Sequence, residues 1–349
     1  MEVDTIGTGG GSYARVDAAT GVLTVGPDSA GAVPGPVAFD LGGEQPTVTD
    51  ADLVLGYLSA DNFLGGQRRL RKDLAEQAIR EEIAGPLGIT VTEAAWRIVQ
   101  TVERQMGTAV RRIAQQNDDD PARFALFVYG GGGGLRCAGV ARHIGGPTAY
   151  LFEHSSAFSA LGADTLDVMH LYEVSLGGAP DASGAWEKMV AEARALVHRA
   201  ERDMRAEGFS PADIRYRFEA ITGRANGSRV IALSLDDLQG SGTPHALREA
   251  GAGTIDILRM RAIGATPHVT FDRMESTGLD PQDALTGTRL ACCDGDMRSV
   301  AVYSRERLRP GNAITGPAVV EASDTTYWIP PSAMLRMDPY RNCVLEVKA

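Results

Sequence analysis

Apolar residues in the first half of the chain recur at helical spacing. Between Thr92 and Gln116, the residues Ala95, Ile98, Val102, Met106, Ala109, Val110 and Ile113 predict one long helix with a single buried stripe. Leu70–Ile83, with Leu74, Ala78 and Ile79 on one face, predicts a shorter helix before it. Ahead of them, Thr49-Asp50-Ala51-Asp52 precedes Leu53, Val54 and Leu55 and reads as a short helix capped by Thr49. Tyr13–Val16 and Val22–Val25 flank a turn at Asp17–Gly21 and predict a hairpin. Gly26–Gly43, GPDSAGAVPGPVAFDLGG, has no period and reads as a long, ordered loop.

At Phe124 the pattern changes. A continuous apolar run, FALFVY, stops at five consecutive glycines, Gly130–Gly134, and an amphipathic stretch, LRCAGVARHIGG, follows. This predicts a buried strand, a turn without side chains and a helix. With a further strand at Thr148–Phe152 it forms a βαβ unit in a mainly parallel sheet. Ser155–Gly162 leads to ADTLDVMHLYEVSL, helical or extended, and a charged helix spans about Gly184–Glu207. From Ser210 onward apolar and polar residues alternate, in Ile214–Ala220, Val230–Leu235, Ile255–Ile263, Ser299–Tyr303, Ala318–Glu321 and Val344–Val347. Hairpin turns are expected at Asn226-Gly227 and Asp294-Gly295. The expected organisation is an α/β domain over residues 1–180 and a β-rich domain over 181–349, with the helix at 184–207 belonging to either.

Composition narrows the function classes. The chain has 349 residues, 44% hydrophobic and 23% charged, enough for two folded domains. A net charge of −11 argues against nucleic acid or an anionic membrane as the main partner. The basic run Gln67–Lys72 reads as a solvated helix face. No apolar stretch approaches the ~20 residues that span a bilayer, and MEVDTIGTGG lacks a signal-peptide pattern, so a cytoplasmic setting is expected. Cys137, Cys292, Cys293 and Cys343 show no C-x-x-C spacing and read as free thiols without a zinc site. Glycine-rich sequence begins at Gly7, before any element long enough to anchor a fold, as though the chain started inside a larger arrangement.

Candidate chemistry centres on the glycines. Gly130, Gly131, Gly132, Gly133 and Gly134 admit positive φ and let a ligand lie against bare backbone. Their N–H groups and the helix N-terminus favour phosphate or another electron-rich group, which makes a nucleotide the expected ligand. Gly9, Gly10, Gly11 and Ser12 form either a nest for an oxyanion or a tight hairpin turn. Arg136 either stacks on a base or pairs with a carboxylate, or is a surface arginine at a helix start. Cys137 reads as packed. Asp50 fits helix capping as well as contact with metal or substrate. Asp164, Asp167 and His170 recur at three-residue steps, which favours a hydrogen-bonded subunit contact over a metal site. Asp40-Leu41-Gly42-Gly43 copies a phosphate loop only superficially, because Glu44 would repel phosphate and Gln45-Pro46 would interrupt a central strand. No Ser–His–Asp set or carboxylate pair can be assembled, so the catalytic residues stay unassigned.

Read in order, these segments resemble the ATP-dependent hydantoinase A/oxoprolinase family. IGTGGGSYARVD is similar to that family's IGAGGGSIAWVD, and VGPDSAGAVPGPVAF, PTVTDADLVLG and FLGG follow in the family's order. FVYGGGGGLRCAGVA stands where the family has a GGAGPLHA-type segment, and FSALGADTLDVMHLYE and GPAVVEASDTTYWIPP also match. The glycine run followed by LRC looks closest to acetone and acetophenone carboxylase subunits. The resemblance implies an α/β chain, half of an actin-like (ribonuclease H-like) ATPase fold with a β-rich C-terminal domain. It also implies ATP and Mg as cofactors, with Gly130–Gly134 on the adenosine side. The family's two DxGGT phosphate loops lie upstream of the matched segment. The implied partners are therefore a chain like the family's N-terminal half, carrying those loops, and a larger hydantoinase B-like subunit. The implied substrate is a small ketone, whose enol form and bicarbonate ATP would phosphorylate, or a cyclic amide. A non-catalytic scaffold subunit is the remaining alternative.

Overall fold

The computed structural model describes residues 4–348 except 147, 179–184, 223–228, 235–236, 239–246 and 248–253. β1 (Ser12–Val16) and β2 (Leu23–Ser29) form the expected hairpin. α1 (Val48–Val54) starts at Thr47 and not at Thr49. Thr47 Oγ1 accepts from the Asp50 N–H, and the Asp50 carboxylate accepts from the Thr47 N–H, a reciprocal cap. Thr49 instead donates its hydroxyl to the Gly10 carbonyl. α2 (Lys72–Ile79) runs into a π-helical stretch, Arg80–Ala84. α3 (Val91–Gln116) is capped by Thr90, whose Oγ1 accepts from the Glu93 N–H. Then come β3 (Leu126–Val128), α4 (Gly133–Ile144) and β4 (Thr148–Leu151). α5 (Phe158–Asp164) and β5 (Val168–Gly178) divide the ADTLDVMHLYEVSL segment.

The rest is mostly strand. α6 (Ala185–Ala206) precedes β6 (Ile214–Thr222), β7 (Arg229–Leu233) and β8 (Ile255–Gly264). β9 (Leu285–Cys293) and β10 (Asp296–Ser304) turn through Asp294 and Gly295, both at positive φ as a two-residue hairpin loop requires. β11 (Ala313–Thr315), β12 (Ala318–Glu321), β13 (Thr326–Ile329), β14 (Ala333–Met337) and β15 (Cys343–Val347) complete the chain. The Asn226-Gly227 turn lies outside the described residues.

The chain divides into two compact units, Met1–Leu161 with Phe271–Ala349, and Gly162–Thr270. This differs from the expected partition at residue 180. The reason is strand pairing: β15 lies antiparallel beside β4, giving a five-stranded sheet of order β11-β14-β15-β4-β3. Val128, Ala149 and Leu151 then share one core with Ile314, Leu335 and Leu345. Only β3 and β4 are parallel in that sheet, so it is mixed and not mainly parallel. A second sheet, β13-β12-β10-β9, contributes Cys292, Val300, Val319 and Trp328 to the core formed by α1, α2 and α3.

The other unit is an antiparallel sheet of order β5-β8-β6-β7, with Met189, Ala193, Ala200 and Met204 of α6 packed on Phe218, Leu258 and Met260. Asp164, Asp167 and His170, which would share one face only if their segment were helical, do not share one. β5 begins at Val168, Asp167 pairs with Arg215 and His268, and His170 pairs with Glu207. Among the described residues, no group of three or more His, Cys, Asp or Glu could hold a metal ion. None of the described helices is long and apolar enough to cross a membrane.

Candidate functional site

The five glycines after β3 have different reasons to be glycine. Gly130 sits at φ +86°, in the left-handed region, and its N–H donates to the Ser155 carbonyl at 2.6 Å. A Cβ on Gly133 would stand 2.8 Å from Val128 Cγ1, and one on Gly134 would strike the Tyr327 ring and the Thr326 carbonyl. Packing therefore excludes side chains at both. Gly131 and Gly132 are different. Neither has positive φ, and a Cβ would meet only the Asp324 carbonyl, 3.8 Å from Gly131, and nothing within 4 Å of Gly132. Nothing in the protein requires these two to be glycine.

They open onto a cavity of about 260 Å³. Leu58, Phe63, Leu64, Leu135 and Ala322 supply apolar wall, and Thr49, Asp52, Ser59, Asn62, Asp324 and Thr326 supply polar groups. Thr325 fixes the turn by donating its hydroxyl to the Gly131 carbonyl at 3.0 Å. Asn62 is oriented by Glu321, which also pairs with Arg289. Ser156 donates to the Asp324 carboxylate. The charged side chains on the lining, Asp52 and Asp324, are both acidic. Such a cavity suits a flat apolar ring with hydroxyl donors beside it, and disfavours phosphate.

Behind the glycines lies a buried ionic cluster. Arg136, in the first turn of α4, pairs directly with Asp52 of α1, and its Nη1 stands 4.0 Å from Glu103 Oε1 of α3. All three are buried, and Nη1 has no hydrogen-bond partner. Burial lifts Asp52 to about 6 and Glu103 to about 7, against the pull of Arg136 on both. The Glu103 carboxylate lies directly over Gly139, where any Cβ would collide with it. The cluster pins α1 and α4 together and, through the start of α4, fixes the glycine turn.

Several sequence candidates take structural roles. Arg136 is not a surface arginine: its guanidinium is buried and pairs with Asp52 through Nη2, while Nη1 has no hydrogen-bond partner. Asp50 is fully buried and accepts from the N–H groups of Val37, Ala38 and Thr47 and from the Thr47 hydroxyl. Burial raises its pKa while those donors oppose the shift. That arrangement leaves it no part in metal or substrate contact. Ser12 is buried, and its Oγ accepts the Gly9 N–H at 2.9 Å, so the Gly9–Ser12 segment closes on itself as a turn and Gly9 has no free donor for an oxyanion. Gly10 keeps a place on the cavity wall, while its carbonyl takes the Thr49 N–H and hydroxyl; a side chain on Gly11 would meet Ser29 Oγ. Cys137 is packed, with its thiol pushed up to about 12 by burial. The basic run is paired at the surface: Arg69 with Asp61, Arg71 with Asp40 and Asp73, Lys72 with Glu76.

Sequence reasoning passed over Asp52, Asn62, Glu103 and Asp324 as site residues. One signal was available for Glu103, a charge one position beyond Val102 on the buried stripe of α3. Asn62 and Asp324 come together with the glycines only through the fold.

The chain belongs to the hydantoinase/oxoprolinase family. That family matches residues 1–172, and its C-terminal domain matches residues 245–348. The chain is 34% identical to the acetophenone carboxylase gamma subunit of Aromatoleum aromaticum, over 99% of this chain and 51% of that protein. It is 32% identical to the caprolactamase subunit alpha of Pseudomonas jessenii, over 97% and 51%. Among solved structures it matches nucleotide-free acetone carboxylase with a TM-score of 0.91 at 26% identity, covering 99% of this chain and 52% of that one. The mixed α/β arrangement is consistent with half of an actin-like ATPase-type fold. The chain spans about half the length of these three relatives.

Proposed function

We propose that this chain contributes the base-binding side of an ATP site in a multi-subunit enzyme that activates a carbonyl oxygen with ATP. The observation that carries this reading is the Gly131–Gly132 pair, unconstrained by the protein and facing a cavity with apolar walls and acidic and hydroxyl groups. A purine fits against Phe63, Leu64 and Leu135, and ribose hydroxyls can donate to Asp324. Asp52 and Asp324 oppose a triphosphate, so the phosphates and their Mg lie with groups that do not line this cavity. Segments equivalent to the family's N-terminal half supply them, with a hydantoinase B-like subunit for the later step.

The substrate class is a small ketone, carboxylated after ATP activates its enol form and bicarbonate. A second reading, ATP-driven opening of a cyclic amide, is supported by the comparable likeness to a caprolactamase subunit. Both begin with phosphorylation of a carbonyl oxygen.

Calorimetry tests the site. The chain alone is expected to bind ATP weakly or not at all, and the assembled complex at micromolar level. Gly132→Val is expected to abolish binding without unfolding the chain, because its side chain meets open space in the protein. A stable complex that binds no ATP would leave a scaffold.

A further inference from the structure

Several neutral side chains on the cavity wall at Gly131 and Gly132 are already committed. The Thr49 and Thr325 hydroxyls are given to the Gly10 and Gly131 carbonyls. Ser59 and Asn62, on the same wall, keep capacity for a ligand. Ser59 Oγ accepts the Asp61 and Asn62 N–H groups at 3.3 and 3.2 Å, which leaves its own hydrogen to donate. Asn62 donates from Nδ2 to Glu321 Oε2 at 3.0 Å, which leaves Oδ1 to accept.

The orientation of that amide is dictated by its neighbours. Arg289 Nη2 holds Glu321 Oε1 at 2.7 Å, and a carboxylate so paired can only accept, so the Asn62 nitrogen must face Oε2. Turning the amide over would set Oδ1 against Oε2, two acceptors with no hydrogen between them. Arg289 and Glu321 are only 19% and 17% exposed, so water gives that arrangement little relief. The chain also holds Leu64 at φ +52°, a left-handed conformation that leucine rarely adopts, with its side chain 48% exposed on the cavity wall. The wall that carries a donor and an acceptor therefore also presents an apolar surface for a ring.

We propose that Asn62 selects a base with an exocyclic amino group, adenine over hypoxanthine, and that Glu321 and Arg289 set this choice by keeping Oδ1 free. The adenine amino group donates to Oδ1, and the adjacent ring nitrogen accepts from the Ser59 hydroxyl. Hypoxanthine in the same pose sets its carbonyl oxygen against Oδ1, and both acceptors lose water without gaining a partner. Asn62 is the specificity residue, and Glu321 and Arg289 are positioning residues that act through it. The assignment rests on the base-binding role proposed above. The choice between bases is separate from that role, because the apolar walls hold either ring.

The test is calorimetric titration of the assembled complex, containing the full chain, with ATP and with ITP, whose base carries an oxygen where adenine carries the amino group. ITP is expected to bind about tenfold more weakly than ATP, or weaker still. Asn62→Leu, at an exposed position, is expected to weaken ATP about tenfold, leave ITP within about twofold, and shift the melting temperature by no more than a few degrees. Glu321→Gln is the sharper probe, because glutamine offers the Asn62 amide either a donor or an acceptor and so lets it turn. The ATP-to-ITP ratio should then fall toward one, whereas a merely structural role for Glu321 would weaken both nucleotides alike and preserve the ratio. The wild-type ratio needs no variant: equal affinity for the two nucleotides, or tighter binding of ITP, overturns the proposal and leaves the nucleotide site standing. So does an Asn62→Leu chain that loses both nucleotides equally. A stable complex that binds neither removes the nucleotide site and the base choice together.

Discussion

Asp52, Arg136 and Glu103 hold two carboxylates and one guanidinium out of water, so the cluster cannot be fully ionised and neutral at once. Asp52 has the direct ion pair. Glu103, at 4.0 Å from Nη1, is the remoter acid and keeps its proton up to about pH 7. Its folded pKa is raised above the unfolded value of about 4.3. The stability it contributes is therefore complete below about pH 4 and is lost as pH climbs through 7. Glu103→Gln removes that titration. Urea midpoints of the variant and the wild type are expected to diverge in the variant's favour between pH 5 and pH 8, and a constant gap would show that Glu103 titrates normally. The same scale explains what the glycine run meant. Five glycines in a row pointed to the turn, but Gly130, Gly133 and Gly134 are required by φ, Val128 and Tyr327, and only the remaining two face the cavity.

At the level of elements, α3 is the helix that its periodicity forecast, within one residue at its start. Its stripe is buried for the first half and half-open for the second. This predicts an asymmetry in mutational cost. Ile98→Ala, at a fully buried position, is expected to cost about 2–5 kcal/mol. Val110→Ala, at a half-buried position, is expected to change stability by no more than about 0.5 kcal/mol in the chain alone. Chemical denaturation of the two variants measures this, and equal losses would mean that the second half of the stripe is closed in solution. α1 shows the limit of reading caps from sequence. Thr47 and Thr49 are equally good cap residues locally. The choice between them follows from Asp50 turning back to Thr47 and to the Val37 and Ala38 N–H groups, and from Thr49 being held by Gly10.

For the molecule as a whole, the first unit depends on strands from near the end of the sequence. β4 is flanked by β3 and β15, and Leu151 shares its core with Leu345, Leu335 and Ile314. A polypeptide ending at residue 180 loses that neighbour strand and most of that core. It is expected to show no cooperative thermal transition by circular dichroism, whereas the full chain melts cooperatively. A sharp transition for residues 1–180 would mean that the glycine turn is supported locally after all.

Periodicity and composition determined the helices, the βαβ unit, the β-rich character after residue 210 and, through ordered motifs, the family. These are short-range or pattern properties, carried by side-chain spacing along one segment. The strand order, the division into units and the membership of the site were decided only by tertiary structure. Asp52 and Glu103 meet Arg136, and Asp324 approaches Gly131, because α1, α3, α4 and β13 pack together across long separations in the chain. Burial then did what no spacing specifies. It converted Asp50 and Ser12 from candidate ligand contacts into internal hydrogen-bond partners, drew Arg136 into an ion pair with Asp52, and left Gly131 and Gly132 lining a cavity with no packing reason to be glycine.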